Sequence, residues 1–141
     1  MGRNMFGGHP GAWNPDDPWN GWWGDNPPFH HPVFVLTHHA REPLGLEGGT
    51  TFTFVTDGIE AGLEKAREAA RGKDVALAGG ADVAQQYLRA GFLDEMEIHL
   101  VPVLLGSGER LFEGTGTDLH GLELVRTVAA PNVTHLKLAR S

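Results

Sequence analysis

Apolar and polar positions fall into regular order from residue 33 onward. Val33-Phe-Val-Leu-Thr37 is a continuous apolar run, the pattern of a strand covered on both faces. Thr50 to Val55 alternates Thr with Phe and Val and predicts a second strand. Asp57 then stands where a helix cap belongs, and Glu60 three residues on completes a capping box. Ile59, Leu63, Ala66 and Ala70 share one helical face, while Glu64, Lys65, Arg67 and Glu68 lie on or near the other. With Gly72 as C-cap, this helix is predicted over about 59–71. Val75 to Ala78 is a short apolar run that predicts a strand, and a second helix follows over about 82–90, ending at Gly91. Met96, Ile98 and Leu100 alternate with Glu95, Glu97 and His99, which is strand periodicity. Leu122 to Val128 and Val133 to Leu138 predict a terminal hairpin around Ala130-Pro131-Asn132.

Strand, helix, strand, helix, strand in this order predicts an α/β fold with right-handed crossovers and a mostly parallel sheet. The last hairpin adds an antiparallel edge. Ligands of such sheets bind outside the carboxyl ends of the strands. That rule says where chemistry is to be sought.

Composition changes the picture at the front of the chain. Residues 1–32 hold all four Trp, and Gly plus Pro make up 12 of those 32 residues against 17 of the following 109. No period survives so many breakers, so residues 8–32 are predicted as one long loop, unbroken from Pro10 to Pro32. Two readings stand for its tryptophans: rings packed on the domain surface, or a flap over a ligand. The whole chain, 1–141, reads as one domain. It has no Cys, which excludes disulfides, a thiolate nucleophile and Cys-ligated zinc. A net charge of −7 with 11 Lys and Arg argues against broad binding to nucleic acid or an anionic membrane, leaving room only for a local anion site. No apolar run is long enough for a membrane span and no leader pattern opens the chain, so a cytoplasmic protein is expected.

The strand-end rule selects four candidate sites. Ala78-Gly79-Gly80-Ala81-Asp82 lies between a buried strand and a helix start. Its glycines allow a sharp turn and close approach, and the helix start offers N–H groups to a phosphate. The other reading is a tight turn without a ligand, with Asp82 as a cap. Thr37-His38-His39-Ala40-Arg41 follows a strand and offers a hydroxyl, two imidazoles and a guanidinium, either to a phosphate or simply to water. No metal is expected from His30, His31, His38 and His39, since adjacent residues on extended chain point opposite ways. Gly2-Arg3-Asn4 can set a guanidinium against a phosphate, or be a frayed terminus. Leu105-Gly-Ser-Gly-Glu-Arg-Leu-Phe112 follows a strand and is expected to bring its last apolar pair back into the core. No strand-to-helix elbow surrounds Ser107, so it is not expected to be a nucleophile, and His99 reads as a surface or structural residue.

Taken in order, Gly2-Arg3-Asn4-Met5-Phe6, Val33 to His38, Ala78-Gly79-Gly80, and Leu105 to Phe112 after Ile98-His-Leu-Val-Pro102 resemble the dihydrofolate reductase-like family. The resemblance is closest to the C-terminal reductase domain of the bifunctional riboflavin-biosynthesis deaminase/reductase, and runs from residue 2 to about residue 138. It implies a dihydrofolate reductase-like three-layer sandwich and a reductase that uses NADPH on a small pterin- or pyrimidine-like molecule. It implies that Gly2 and Arg3 lie by the cofactor phosphates and that Thr37 and His38, with His39 close by, face the adenosine 2′-phosphate. It also implies that Gly79 and Gly80, running into Ala81, Asp82 and Val83, cradle the pyrophosphate. A homodimer is expected.

The chain departs from that family in two ways. It opens at the Gly-Arg segment, without the preceding strand, helix and strand, and it has Ala84 where classical members place a Tyr. No catalytic acid is assigned on this basis; Asp16 and Asp17 offer only their charge. The alternative function is a non-catalytic nucleotide-binding or dimer-forming remnant of the fold.

Overall fold

The computed structural model describes residues Met1–Ser141. The chain divides into two compact units, Met1–Val83 and Ala84–Ser141. The first contains α1 (Arg3–Phe6), β1 (Pro32–Leu36), β2 (Leu44–Gly45), a 3-10 turn at Glu47–Gly49, β3 (Thr51–Val55) and α2 (Gly58–Ala70). Helix α3 (Ala81–Arg89) runs across the division, and β4 (Glu95–Leu100), β5 (Leu122–Ala130) and β6 (Val133–Arg140) complete the second unit.

In the first unit the sheet order is β1-β3-β2. Strands β1 and β3 run parallel, with Val33 opposite Phe52 and Val35 opposite Phe54. Strand β2 is antiparallel to β3. The period-2 register separates two faces. Val33, Val35 and Phe52 pack with Phe6 and the half-buried Phe54, while Phe34 and Thr53 look toward α2, with Lys65, Glu68 and Ala69 across a groove of about 570 Å³. Helix α2 matches its predicted span to within a residue, but its ends differ in chemistry. Asp57 makes no side-chain capping bond, so the capping box does not form. The left-handed C-cap is Arg71, one residue before Gly72.

The Trp-rich segment takes the place of a helical layer on the other sheet face. Trp13, Trp19 and Trp23 pack on the Phe6–Phe52 core, and only Trp22 is largely exposed. Trp23 stacks on Phe52 with centroids 5.9 Å apart, and Phe6 meets Trp13 edge-on at 5.9 Å. Indole N–H groups donate to backbone: Trp19 Nε1 to the Phe6 carbonyl and Trp13 Nε1 to the His39 carbonyl, both at 2.8 Å. Large rigid rings bury area at little entropic cost, and each indole N–H needs a partner when covered. These two facts explain how a segment without regular secondary structure forms a wall of the core.

The second unit is an antiparallel sheet in the order β4-β6-β5. Met96, Ile98, Leu122 and Leu138 pack with Leu88 of α3 and with Leu93. The hairpin turns at Pro131-Asn132, where Pro fixes a negative φ and Asn132 takes φ +65°.

Three expectations are corrected here. Val75–Ala78 forms no strand; the run pairs with no neighbour, and Val75 is exposed. A short apolar run is strand-like only if a ladder partner exists, and none lies beside it. For the same reason the sheet is not mostly parallel: β1–β3 is the one parallel strand pair, and β4 pairs with the hairpin. The pair Leu111-Phe112 does not return to the core, and both residues are exposed, as is the run from Leu100 to Leu105.

Candidate functional site

Three separated segments meet at the carboxyl end of β1. Met1 and Gly2 run alongside that end: Leu36 N–H donates to the Met1 carbonyl at 2.8 Å, and Gly2 bridges Leu36 in parallel fashion. Gly2 N–H donates in turn to the Gly79 carbonyl at 2.8 Å. Thr37 continues directly from β1, with its N–H on the Val55 carbonyl at 3.0 Å. The Gly2-Arg3 segment therefore lies between the post-β1 turn and the Gly79-Gly80 turn.

Close approach explains the glycines. A Cβ on Gly2 would come within 2.6 Å of Val83 Cγ2, so only glycine fits where the chain start crosses the first turn of α3. Gly79 has φ +95°, which an L side chain rarely adopts. The Gly79–Gly80 peptide is cis. A Cβ on either Gly79 or Gly80 would meet no protein atom within 4 Å, so the front of the turn is open space. Helix α3 begins at Ala81, which puts Asp82 inside its first turn rather than at the cap. Val83 is buried against Gly2 and leaves the peptide groups of the turn as the exposed chemistry.

Two guanidinium groups gather around Trp13. The Arg3 guanidinium lies over the Trp13 ring, 3.6 Å from its centroid, and donates through Nη2 to the His9 carbonyl at 2.8 Å. Its Nε is buried without a hydrogen-bond partner. The Arg41 guanidinium also sits over Trp13, at 5.0 Å. Burial, and then the charge of Arg41, lower the pKa of Arg3 from its ordinary value, and burial lowers that of Arg41. Arg41 donates to the Trp19 carbonyl and to Asn20 Oδ1, which ties the turn after β1 to the Trp-rich segment. A cavity of about 240 Å³ opens there, walled by Trp13, Pro18, Trp19 and Arg41.

Most of the positions selected in the sequence are thus neighbours along one strand end. Gly2, Gly79, Gly80 and Val83 touch or bond directly. Arg3 and His39 are linked through Trp13. Thr37 is buried and its hydroxyl accepts the His39 N–H at 3.2 Å, so it braces the turn, while His38 and His39 are exposed. Trp13 belongs to this group although nothing in its local sequence distinguishes it from the other three tryptophans. Asp16 and Asp17 stay on the loop surface, Asp17 lying 3.9 Å from His9. His30 and His31 each turn a ring nitrogen to a backbone carbonyl, at 2.9 and 2.8 Å. Ser107 is exposed on its loop.

The motif order, the open Gly-Gly turn and the Gly-Arg segment against it agree with a family match covering residues 2–136, described as the RibD C-terminal domain. The chain belongs to that family. That places it in the dihydrofolate reductase-like α/β class, among reductase-like domains. A protein of Bacillus subtilis (strain 168), "Uncharacterized protein YwjB", is 33% identical over 60 residues, which is 43% of this chain. The match covers 34% of that relative, so the chain spans about a third of its length there. No helix is long and apolar enough to cross a membrane.

Proposed function

We propose that this domain is an NADPH-dependent reductase of a small pterin- or pyrimidine-like substrate, resembling the 5-amino-6-(5-phosphoribosylamino)uracil reductase of riboflavin biosynthesis and acting in the cytoplasm. The observation that carries this reading is the open Gly79-Gly80 turn with Gly2-Arg3 bonded against it.

The residues fit the cofactor. A dinucleotide needs backbone that approaches its phosphates closely, and the space before Gly79 and Gly80 is free of protein atoms. It needs cationic donors, and Arg3 has a buried Nε without a partner. It needs a group to read the 2′-phosphate, for which the exposed His38 and His39 and the Arg41 guanidinium are candidates. When bound, NADPH supplies a hydride; the protein contributes alignment and charge. Gly79 and Gly80, with Ala81, Asp82 and Val83 behind them, would hold the pyrophosphate, and Gly2 would keep Arg3 beside it. Trp13 holds the Arg3 guanidinium against its ring. Thr37 fixes the His38-His39 turn through its bond to the His39 N–H.

A second reading is a non-catalytic nucleotide-binding or dimer-forming remnant of the fold. It is favoured by the exposed apolar run Leu100–Leu105, a surface suited to another copy of the chain. Titration of the purified 141-residue chain with NADPH, followed by a reductase assay on pyrimidine and pterin substrates, separates the two. Binding with turnover supports the reductase, binding without turnover supports the second reading, and no binding removes the reductase and leaves only a dimer-forming remnant.

A further inference from the structure

We infer that the outer face of the β4–β6 ladder carries a binding site for a divalent transition-metal ion, zinc in the first place, formed by His99, His135 and Glu97. Neither the family nor the proposed cofactor site accounts for this cluster, which is built by the second unit alone.

The ladder register creates it. His99 and His135 are direct partners in the antiparallel pair, and Glu97 opposes Lys137 one step along the same face. Strand alternation sends Met96, Ile98 and Leu138 to the core side, so Glu97, His99 and His135 project together from the other. The two imidazoles face each other through Nδ1 atoms 2.7 Å apart, with ring planes at 76°. One ligand atom from each of the three residues falls within a common span of 4.8 Å. Glu97 and His99 are exposed and His135 is half-buried, so an ion has open access.

The chemistry selects the kind of ion. Two imidazole nitrogens and one carboxylate oxygen suit zinc and its first-row neighbours, whereas calcium and magnesium prefer oxygen alone. A tetrahedral ion with bonds of about 2.0–2.1 Å holds its nitrogens roughly 3.3 Å apart. The rings must therefore open by about 0.6 Å from their present 2.7 Å, a small rotation for surface side chains. For both rings to present Nδ1 to the ion, the ring that donates in this pair must pass to its Nε2–H tautomer. Glu97 is already oriented: Arg126 Nη2 donates to its Oε1 at 3.2 Å, which leaves Oε2 to turn toward the ion. Lys137, opposite Glu97 in the ladder, is paired with Glu95 at 2.9 Å. The fourth position faces water.

The test uses the tag-free 141-residue protein and zinc chloride. Calorimetric titration is expected to give one zinc per chain, with an accompanying rise in melting temperature because the ion clamps β4 to β6. Cobalt(II) in place of zinc is expected to give the visible absorption of a four-coordinate nitrogen–oxygen site. His99→Asn and His135→Gln should each weaken zinc binding at least about tenfold, and Glu97→Gln several-fold, consistent with loss of one ligand each. Far-UV circular dichroism checks that these surface variants keep their sheet. Absence of zinc binding, or equal affinity in the folded His99→Asn/His135→Gln double variant, overturns the assignment, the latter by locating zinc among the other histidines.

Discussion

Replacing Gly80 by Ala asks whether the Gly-Gly turn is a ligand site or merely a turn. Gly80 lies outside the left-handed region, and its added methyl would meet no protein atom within 4 Å. The folded chain therefore has no reason to object, and the substitution should change stability by less than about 1 kcal/mol, even slightly for the better. A phosphate seated against the turn does object, because the methyl occupies the space it needs. Losing one charge-assisted bond to that phosphate costs about 1.5–3 kcal/mol. That is roughly a 10- to 150-fold loss of NADPH affinity. Gly79→Ala is the contrasting variant: with φ +95° it carries strain of about 1–3 kcal/mol whether or not a ligand binds. The expected pattern is a weakened but fully stable Gly80→Ala, and a Gly79→Ala both weaker and less stable. Calorimetric titration with NADPH and a thermal melt of each variant read the two effects separately. A folded Gly80→Ala that binds NADPH as well as the parent refutes the placement of the cofactor at this turn.

Other outcomes follow from the same geometry. NADPH should bind at least about tenfold more tightly than NADH, because Arg41 and the His38-His39 turn gain a charged hydrogen-bond partner only from the 2′-phosphate; equal affinities by titration would remove them from the site. The Met1 amine is buried, donates to the Phe34 carbonyl at 2.8 Å, and has its pKa pushed down from 8.0 to about 6 by desolvation. The unfolded chain thus takes up this proton first, so this group's stability contribution is full above pH 8, declines as pH falls to 6, and is level below that. The total change is about 3 kcal/mol, read from urea unfolding across that range against N-terminally acetylated protein, whose curve should lack this slope. Leu104 and Leu105 are almost wholly exposed, so the chain should self-associate and Leu104→Asp/Leu105→Asp should shift it toward monomer; light scattering showing a monomeric parent at high concentration would contradict this.

Local order was legible in the amino-acid sequence. The helix over Gly58–Ala70, the strands at residues 33, 51, 95, 122 and 133, and the Gly-Gly turn before α3 all follow from periodicity and breakers, which act over a few residues. Of the candidate site, the polar turn after β1 was legible as a strand-end loop, whereas the Gly79-Gly80 turn was picked by its glycines and helix start, with no strand before it. Pairing was not. Val75–Ala78 has strand composition but no ladder partner, and Leu111-Phe112 has core composition but no core to enter. Whether an apolar run is buried depends on what the rest of the chain brings beside it. The same limit hid Trp13, whose place over Arg3 depends on how a segment without a period packs. It also hid the His99–His135 pair, 36 residues apart in sequence and joined at 2.7 Å by the register of the β4–β6 ladder. Propensity is set by neighbours along the chain, while ligand geometry is set by neighbours across it, and only the tertiary structure decides the second.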